Sequence, residues 1–553
     1  MMDKQQRAAR IEQLTRELTG QFSVLETANE VVMAEKVYEI LGRVPYFQAH
    51  PENLFYVPVK DDPWKRKSVM AMVRGEKSAS RRTVVMIGHM DTVGISDYGP
   101  LAEYANQPDI LMEKLKELEL SEDVRRDLES GDYLFGRGIF DMKSGDAILI
   151  ALLEEISREI EAFEGTLIYA AVCDEEGNSR GMRSVVPKLI QLQEENKFDY
   201  LALLDTDYMT SEYEGDTNKY VYVGTVGKLM PTFYVVGKET HVGEAFKGLD
   251  PNQLISKISS RINLNPEFCD VAEGEVTLPP VTLCQRDRKA EYSTQIAKSA
   301  ILYFNYATHI STPDQVLAMM AEIAEECFFQ VLDTLNQYYR TFCNMCRQPF
   351  VRLPWKARVM TYQQLYAAVL EEVPQLPELV AQKSQELMTD ETIDTCTRTT
   401  RLVEYVHGLW SDKDPIVLVY LTPPYYPHVH VAGEKEKERR LLWAVDKAIE
   451  ETGTDYKLTR KKFFPYISDL SFATAPQDPE VIRALKRNTP GFGIFYDIPL
   501  REMQSLDLPV VDIGPFGKDA HKFTERIEKN YSFYTAPELV YRTVMNLLHD
   551  ADE

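Results

Sequence analysis

The feature that most constrains the fold is an alternation of short apolar strands with amphipathic helices in the first 228 residues. Three β-branched-rich runs, Thr83–Ile87, Thr166–Val172 and Tyr200–Leu204, have the length and composition of strands that are covered on both faces. Helical patterns occupy Gly145–Phe163 and Met182–Leu192 between them. Alternating strands and helices are typical of a wound α/β sheet, so we expect one here.

The chain is too long for one compact core, because 553 residues usually form at least two domains. We predict a discontinuous catalytic domain with a wound mixed sheet, made of residues 1–228 and 433–553. An inserted α+β domain is expected at residues 229–432. Long helical patterns from Pro313 to Leu335 and from Tyr362 to Leu387 enlarge this insert.

The formal net charge of −24 limits the partners that the chain can attract. An acidic surface repels phosphate groups, so neither nucleic acid nor an anionic membrane is expected as a partner. No apolar run approaches the ~18 residues that span a bilayer. The stretch Met1–Gly20 is polar and charged and favours an amphipathic helix over a signal peptide, so we expect a cytoplasmic protein.

The cysteine pattern argues against a disulfide framework, because the seven cysteines are odd in number and scattered in spacing. Cys343 and Cys346 form one Cys-x-x-C pair. A structural zinc site usually needs a second such pair, which the sequence lacks. We therefore expect core thiols at these two positions.

Residues that can bind metal ions follow each of the predicted strands. Ligands of a wound sheet bind outside the carboxyl ends of its strands, where the loops of neighbouring strands meet. A fourth strand, Leu508–Ile513, is followed by a loop that ends in a histidine. One more carboxylate precedes the predicted helix Gly145–Phe163. The side chains concerned are His89, Asp91, Asp141, Glu175, Glu176, Asp205, Asp207 and His521.

The types of these side chains suit a divalent transition metal. Imidazole and carboxylate donors favour zinc, manganese or cobalt over calcium or magnesium. Two ions about 3.5–4 Å apart need one shared carboxylate, and a further acid beside them can act as general base. Each residue alone is better explained as a structural histidine, a solvated glutamate pair or a capping aspartate. Their joint occurrence at strand ends favours the metal site.

The ordered motifs resemble those of a known family. They are Gly-His-Met-Asp-Thr-Val at 88–93, Gly-Arg-Gly-Ile-Phe-Asp-Met-Lys-Ser-Gly at 136–145, Cys-Asp-Glu-Glu-Gly at 173–177, Leu-Asp-Thr-Asp at 204–207, Thr-His-Val-Gly at 240–243 and Asp-Ala-His-Lys at 519–522. The set resembles the carboxypeptidase G, aminoacylase and acetylornithine deacetylase family of co-catalytic metallohydrolases. The resemblance covers nearly the whole chain and is weak from about Cys327 to Trp410.

This resemblance implies two divalent metal ions, with zinc expected and cobalt or manganese as alternatives. His89 and Asp205 would bind the first ion, and Glu176 and His521 the second. Asp141 would bridge both ions. Asp207 is a rival for the role of Asp205, because it lies on the same strand face two residues along.

The resemblance also implies roles for residues that bind no metal. Asp91 would orient His89, as metal-bound histidines generally require, and Glu175 would be the general base. The Asp141–Met142 peptide bond is expected to be cis.

The inserted domain corresponds to a lid or dimerisation domain in the family, so a homodimer is among the expected assemblies. Its characteristic histidine would be His241, in the turn Thr240-His241-Val242-Gly243, and would stabilise the oxyanion. Many relatives carry an arginine on an insert strand that binds a substrate carboxylate. The corresponding stretch here, residues 303–309, has none, and His309, Arg286 and Arg288 are the nearby substitutes.

Two further histidines, His428 and His430, alternate along the chain and could chelate a metal from one strand face. Prolines at positions 423, 424 and 427 make this segment an irregular connection between domains, so we favour a structural role.

The function expected from these residues is hydrolysis of an amide or peptide bond of a small amino-acid derivative, such as an N-acyl amino acid or a dipeptide. The resemblance implies a place in arginine catabolism. The alternative is a catalytically impaired binding or regulatory protein on the same fold. The presence of Glu175 argues for the enzyme, because a site that only binds a ligand needs no general base.

Overall fold

A computed structural model describes residues 3–549, and the chain divides into two compact units. The first unit consists of Met1–Thr225, Val429–Ala475 and Pro499–Glu553, and the second of Val226–His428 and Pro476–Ile498. Residues 476–498, which the sequence analysis assigns to the catalytic domain, thus belong to the second unit. Within the described residues, no helix is both apolar and long enough to cross a membrane.

The helices and strands are numbered in chain order. The α-helices are α1 Lys4–Thr19, α2 Asn29–Gly42, α3 Pro45–Ala49, α4 Pro108–Leu115, α5 Glu122–Ser130, α6 Ser144–Ile156, α7 Arg180–Asn196, α8 Pro251–Ile262, α9 Pro313–Met345, α10 Tyr362–Glu372, α11 Leu376–Met388, α12 Thr395–Leu409, α13 Glu436–Glu451, α14 Pro479–Asn488, α15 Leu500–Leu506 and α16 Ala536–Leu548. The strands are β1 Leu54–Pro58, β2 Lys67–Arg74, β3 Arg82–His89, β4 Tyr133–Phe135, β5 Thr166–Val172, β6 Asp199–Asp205, β7 Lys219–Tyr222, β8 Gly224–Thr225, β9 Gly227–Leu229, β10 Pro231–Val236, β11 Val271–Ala272, β12 Glu275–Val276, β13 Val281–Asp287, β14 Ser299–Thr308, β15 Val359–Thr361, β16 Ile416–Leu421, β17 Val429–His430, β18 Leu458–Lys461, β19 Val510–Asp512, β20 Gly517–Lys518 and β21 Arg526–Glu528.

The main sheet of the first unit is a wound mixed sheet, as the sequence predicts. Its strand order is β1-β2-β5-β3-β6-β19-β7-β18. The central strands β5, β3, β6 and β19 run parallel, whereas β2 pairs antiparallel with β5, and β7 pairs antiparallel with β19. The carboxyl ends of the four parallel strands therefore meet at one edge of the sheet.

Helices cover both faces of this sheet. Val84 and Met86 of β3 share an apolar cluster with side chains of α1, α6 and α16. The buried side chains of α7 lie outside that cluster, and this helix packs against β2 and β5. Side chains alternate between the faces of a strand, so Val85 and Ile87 are buried on the opposite face.

The second unit has its own sheet, in the order β13-β14-β10-β16-β15. Helices α8 and α9 pack on this sheet, and α10, α11 and α12 add a further apolar cluster with residues of β10 and β16. These extra helices enlarge an α+β domain, as predicted. Helix α14, from the segment 476–498, packs against α9 and α10, where it buries Val481 and Leu485.

Several predicted segments differ from the structure in extent. The pattern Tyr362–Leu387 is two helices, because Pro374 breaks the hydrogen-bond ladder between α10 and α11. Helix α9 continues beyond the predicted end to Met345, and α6 ends at Ile156 rather than at Phe163. In the predicted N-terminal helix, Lys4–Thr19 is helical, and Met1 and Met2 lie outside the described residues.

The Cys-x-x-C pair lies at the end of α9. Cys343 is buried and Cys346 is exposed, and both are free thiols. The expectation of core thiols therefore holds for Cys343 and is wrong for Cys346, which follows the last helical residue.

Candidate metal centre

His89 is the last residue of β3 and is buried at the edge where the parallel strands end. Its Nε2 lies 3.0 Å from Oδ1 of Asp141, and its Nδ1 lies 3.1 Å from the backbone oxygen of Asp91. A carbonyl oxygen only accepts hydrogen bonds, so Nδ1 carries a proton, and Nε2 is the nitrogen that can bind a metal ion once it is deprotonated. Burial lowers the pKa of His89, but the hydrogen bond with Asp141 and the charge of Glu175 together raise it well above its usual value.

Asp141 lies in the turn between β4 and α6. The Asp141–Met142 peptide bond is cis, as the resemblance implies, and Gly138 at the start of this turn has a φ of 74°. The Asp141 carboxylate faces two histidines, because its Oδ2 lies 2.9 Å from Nε2 of His521 while its Oδ1 contacts His89. Burial opposes ionisation, yet these two imidazoles lower the pKa of Asp141 below its usual range.

Glu175 and Glu176 follow β5 in a tight loop. Asp174 has a φ of 63° there, a left-handed conformation that turns the chain sharply. The loop is fixed by the Asp91 carboxylate, whose Oδ1 accepts the Glu175 N–H at 3.1 Å and whose Oδ2 accepts the Glu176 N–H at 3.0 Å. Burial raises the pKa of both glutamates, that of Glu175 well above its usual value.

His521 lies in the loop between β20 and β21. Asp519 fixes this loop by accepting hydrogen bonds from Lys522, Thr524 and Arg526. Nε2 of His521 lies 2.9 Å from Oδ2 of Asp141 and 2.9 Å from Oε1 of Glu176. Hydrogen bonds with these two carboxylates raise the pKa of His521 to about 10.

Asp205 and Asp207 are both buried at the end of β6. Oδ1 of Asp205 accepts the Thr206 N–H at 2.8 Å, and Oδ2 accepts the Ser468 hydroxyl at 3.1 Å. Burial raises the pKa of Asp205 to about 6, and burial with the charge of Asp141 raises that of Asp207 well above its usual value. Both carboxylates interact electrostatically with Asp141 and His89, so the geometry leaves both as candidates for the same ligand position.

The predicted site residues of the first unit thus come together. The candidate ligand atoms of His89, Asp141 and Glu176 all lie within 4.8 Å of one another. His241, by contrast, belongs to the second unit, where it is exposed and precedes the turn Val242–Lys247. Its Nδ1 accepts the Gly243 N–H at 3.0 Å.

The substitutes for a carboxylate-binding arginine differ in availability. Arg288 is already paired, with two hydrogen bonds of 2.9 and 2.8 Å to the Glu404 carboxylate. His309 is buried, and Arg286 is exposed.

The alternating histidines make separate contacts. The ring of His428 lies 3.2 Å from the Thr308 hydroxyl, while that of His430 stacks on Phe463.

Several residues at the site were not predicted from the sequence. The buried Ser468 hydroxyl donates to Asp205, and the neighbouring Asp469 is also buried, which raises its pKa to about 8. Phe140, Tyr208 and Tyr466 form an aromatic row next to the ligands, with ring centroids 4.9 and 5.1 Å apart. A Ser-Asp pair or a single tyrosine is too common in sequences to indicate a site. The contacts of these residues with the candidate ligands form only when distant segments fold together.

The donor set fits divalent cations. Four further carboxyl groups at the site have raised pKa values, those of the half-buried Glu176 and of the buried Asp205, Asp207 and Asp469. Acidic groups crowded in a buried site repel one another and resist ionisation. A divalent cation removes both costs, and imidazole with carboxylate oxygen is a combination that zinc, cobalt and manganese accept.

Fold and site together define a metal-dependent hydrolase of the wound α/β type. The chain belongs to Peptidase family M20/M25/M40, whose sequence profile matches residues 86–494. Protein RocB of Bacillus subtilis (strain 168) is 35% identical over 545 residues, which cover 98% of this chain and 95% of RocB.

Two further comparisons are more distant. Succinyl-diaminopimelate desuccinylase of Wolinella succinogenes is 36% identical over 124 residues, or 22% of this chain and 31% of that protein. The crystal structure of aminopeptidase PepT from Bacillus cereus ATCC 10987 is similar with a TM-score of 0.51 at 12% identity, covering 98% of this chain and 99% of PepT. This likeness concerns the fold.

Proposed function

We propose that this chain is a two-metal amidohydrolase that cleaves an amide or peptide bond of a small amino-acid derivative. The observation that carries the proposal is the convergence of His89, Asp141 and Glu176, with ligand atoms within 4.8 Å of one another, beside the half-buried carboxyl group of Glu175. A purely structural metal site has no use for this additional acid.

The residues that would hold the metals form two overlapping sets. His89 and either Asp205 or Asp207 serve the first ion, Glu176 and His521 the second, and Asp141 is shared. Bound zinc, cobalt or manganese supplies Lewis acidity, which polarises a carbonyl group and makes a water molecule acidic.

Glu175 acts as the general base in this proposal. Its carboxylate takes the proton of the attacking water and later returns it to the leaving amine. Burial raises the pKa of Glu175, and a raised pKa makes its carboxylate a stronger base for the first step. The Asp91 carboxylate keeps Glu175 in place by accepting a hydrogen bond from the Glu175 backbone N–H.

His241 supplies a hydrogen-bond donor to the oxyanion. Because its Nδ1 accepts the Gly243 N–H, the neutral ring carries its proton on Nε2, and Nε2–H is the group that donates. The inserted domain then acts as a lid within one chain or as a dimerisation domain that supplies His241 to a second copy.

The substrate class rests on the relatives, whereas the missing arginine leaves the group that would bind a substrate carboxylate unassigned. The desuccinylase is named for the removal of a succinyl group from an amino acid, which supports N-acyl amino acids as substrates here. The stretch 303–309 offers no guanidinium for a substrate carboxylate. The resemblance also favours derivatives of arginine, which we include as a finer proposal.

A hydrolysis screen tests the proposal. Zinc-, cobalt- and manganese-loaded protein is assayed on N-acetyl and N-succinyl amino acids and on dipeptides, with Nα-acetyl-arginine compared with Nα-acetyl-lysine. We expect turnover that a chelator abolishes, and up to two ions per chain by elemental analysis. His89→Ala should bind less metal, whereas the control His50→Ala, with a side chain 40% exposed, should match the wild type. Tight metal binding without turnover on any member of the panel would instead support a binding protein.

A further inference from the structure

The turn that carries His241 has few contacts of its own. Its base is closed by paired backbone hydrogen bonds between Lys238 and Leu249, at 2.9 and 3.1 Å. One side is also fixed, because the Val242 N–H donates to the Thr294 oxygen at 3.1 Å. The 3₁₀ turn Val242–Lys247 itself contains no buried residue.

Phe246 is the exception to this exposure, because its side chain is half-buried in an otherwise exposed turn. Its ring stacks on that of Tyr339, with centroids 4.7 Å apart and an interplanar angle of 29°, and lies 5.3 Å from Phe342. Tyr339 in turn contacts Phe350 at 5.7 Å. We call these four rings the aromatic cluster, and all of them lie in the second unit.

The partners of Phe246 come from the distal part of α9. This helix has 33 residues and is therefore about 50 Å long. Its buried side chains from Val316 to Leu332 belong to the part that packs on the sheet of the second unit. Tyr339 and Phe342 continue the same apolar stripe at helical spacing and meet Phe246.

We propose that the aromatic cluster positions His241, with the distal half of α9 supporting the turn from its open side. His241 lies five residues before Phe246, and its Nδ1 accepts a hydrogen bond from Gly243 within the same segment. The position of its Nε2–H group therefore depends on the position of the whole turn. This inference rests on the proposed role of His241. It gives a function to part of the segment, from Cys327 to Trp410, in which the family resemblance is weak.

Variants at both ends of the stack test this role in the full-length, zinc-loaded protein. The assay uses the N-acetyl amino acid that the wild type hydrolyses fastest. We expect Phe246→Ala and Tyr339→Ala each to lower kcat about tenfold, less than the ~10²–10³-fold loss expected for an oxyanion donor. Metal content should not change. Phe246→Tyr keeps the stacked ring and should retain kcat, as should the control Tyr338→Ala, whose side chain is 61% exposed on the same helix.

A double variant separates positioning from a general structural effect. If Phe246 acts through His241, then adding Phe246→Ala to His241→Ala causes no further loss of kcat. Backbone N–H groups of Val242–Lys247 should also exchange faster with solvent in Phe246→Ala.

Two results would overturn the proposal: full kcat in Phe246→Ala when His241→Ala is impaired, or a tenfold loss that persists in the double variant. Full kcat in His241→Ala would instead remove the catalytic role of His241 itself, and with it the reason for positioning.

Discussion

Asp91 contacts three residues of the candidate site at once. Its two carboxylate oxygens accept the backbone N–H groups of Glu175 and Glu176, while its backbone oxygen contacts Nδ1 of His89. Its carboxylate is farther from that nitrogen, at 3.9 Å. The family resemblance implies that the Asp91 carboxylate orients His89, whereas in the structure the nearer contact to His89 comes from the backbone oxygen.

This arrangement predicts a large effect of the substitution Asp91→Asn. An asparagine offers one acceptor oxygen, and its NH₂ group would face a backbone N–H, so the loop should shift. We expect a loss of about 10–100-fold in kcat or in metal affinity, as is usual for residues that support metal ligands. The control Asp109→Asn, whose side chain is 83% exposed, should have no effect on either quantity. Wild-type kcat and metal content in Asp91→Asn would contradict this account of the loop.

The meeting of most candidate ligands could be predicted from the sequence because they follow apolar runs, and the exits of parallel strands meet at one sheet edge. Ser468 and Asp469 could not, because they follow no such run and reach the site only through the tertiary fold. The choice between Asp205 and Asp207 stays open, since Asp205 ends β6, Asp207 follows two residues later, and both are buried.

At the scale of the elements, Arg66 joins three parts of the first unit. Its buried guanidinium lies 3.0 Å from Glu30 on α2, 2.6 Å from Asp62 before β2, and 2.6 Å from Asp174 after β5. Asp174 directly precedes Glu175, so this network supports the loop that carries the proposed base.

The substitution Arg66→Met should therefore be strongly destabilising. It leaves Glu30 without its cation and leaves Asp62 and Asp174 with only the partly exposed Arg180. Breaking a buried ion pair from one side typically costs about 3–5 kcal/mol. Urea denaturation measures this as a lower free energy of unfolding. The matched control is Arg43→Met, because Arg43 also pairs with two glutamates but is 48% exposed, and exposed pairs contribute about 0–1 kcal/mol. Equal losses in the two variants would contradict the structural role of Arg66.

Most elements that frame the site could be predicted because their side chains repeat with a clear period. Strand β2 escaped prediction although it is buried between β1 and β5, since Val69 and Val73 are its only β-branched residues and Met70, Ala71 and Met72 separate them. The true end of α9 was also missed. The predicted end at Leu335 coincides with no stop signal, because no glycine or proline follows Leu335 until Pro349.

At the scale of the whole molecule, the second unit includes a segment that returns to it late in the chain. Helix α14, at Pro479–Asn488, packs on α9 and α10. The amphipathic pattern of this segment predicts a helix and its buried face. It does not indicate which of the two units that face packs against.

The buried charges predict how the metal-free protein responds to pH. The pKa values of Asp205, Asp469 and His521 are raised to about 6, 8 and 10. The folded chain therefore binds more protons than the unfolded chain between each ordinary pKa and the raised one, so stability falls as pH rises. For the aspartates this loss runs from about pH 4 to 8, and for His521 from about pH 6.5 to 10.

We expect the melting temperature of the metal-free protein to fall from pH 5 to pH 8, and added zinc to raise it most at pH 8, where the ligands are deprotonated. Asp469→Asn removes one group with a raised pKa and should flatten the metal-free slope. Repulsion from the net charge of −24 is screened by 0.5 M salt, whereas buried groups are screened much less, so the slope should persist in salt. A melting temperature that rises over this range would contradict the assignment of these buried groups.

The most direct test of two-metal hydrolysis with Glu175 as base is the kcat of Glu175→Gln, measured with its metal content on the substrate that the wild type hydrolyses fastest. Glutamine keeps the shape and cannot accept the proton. We predict that the variant keeps the wild-type number of metal ions and loses about 10²–10⁴-fold in kcat, while the control Glu194→Gln, on the exposed side of α7, keeps full activity. Unchanged kcat in metal-loaded Glu175→Gln would contradict the account.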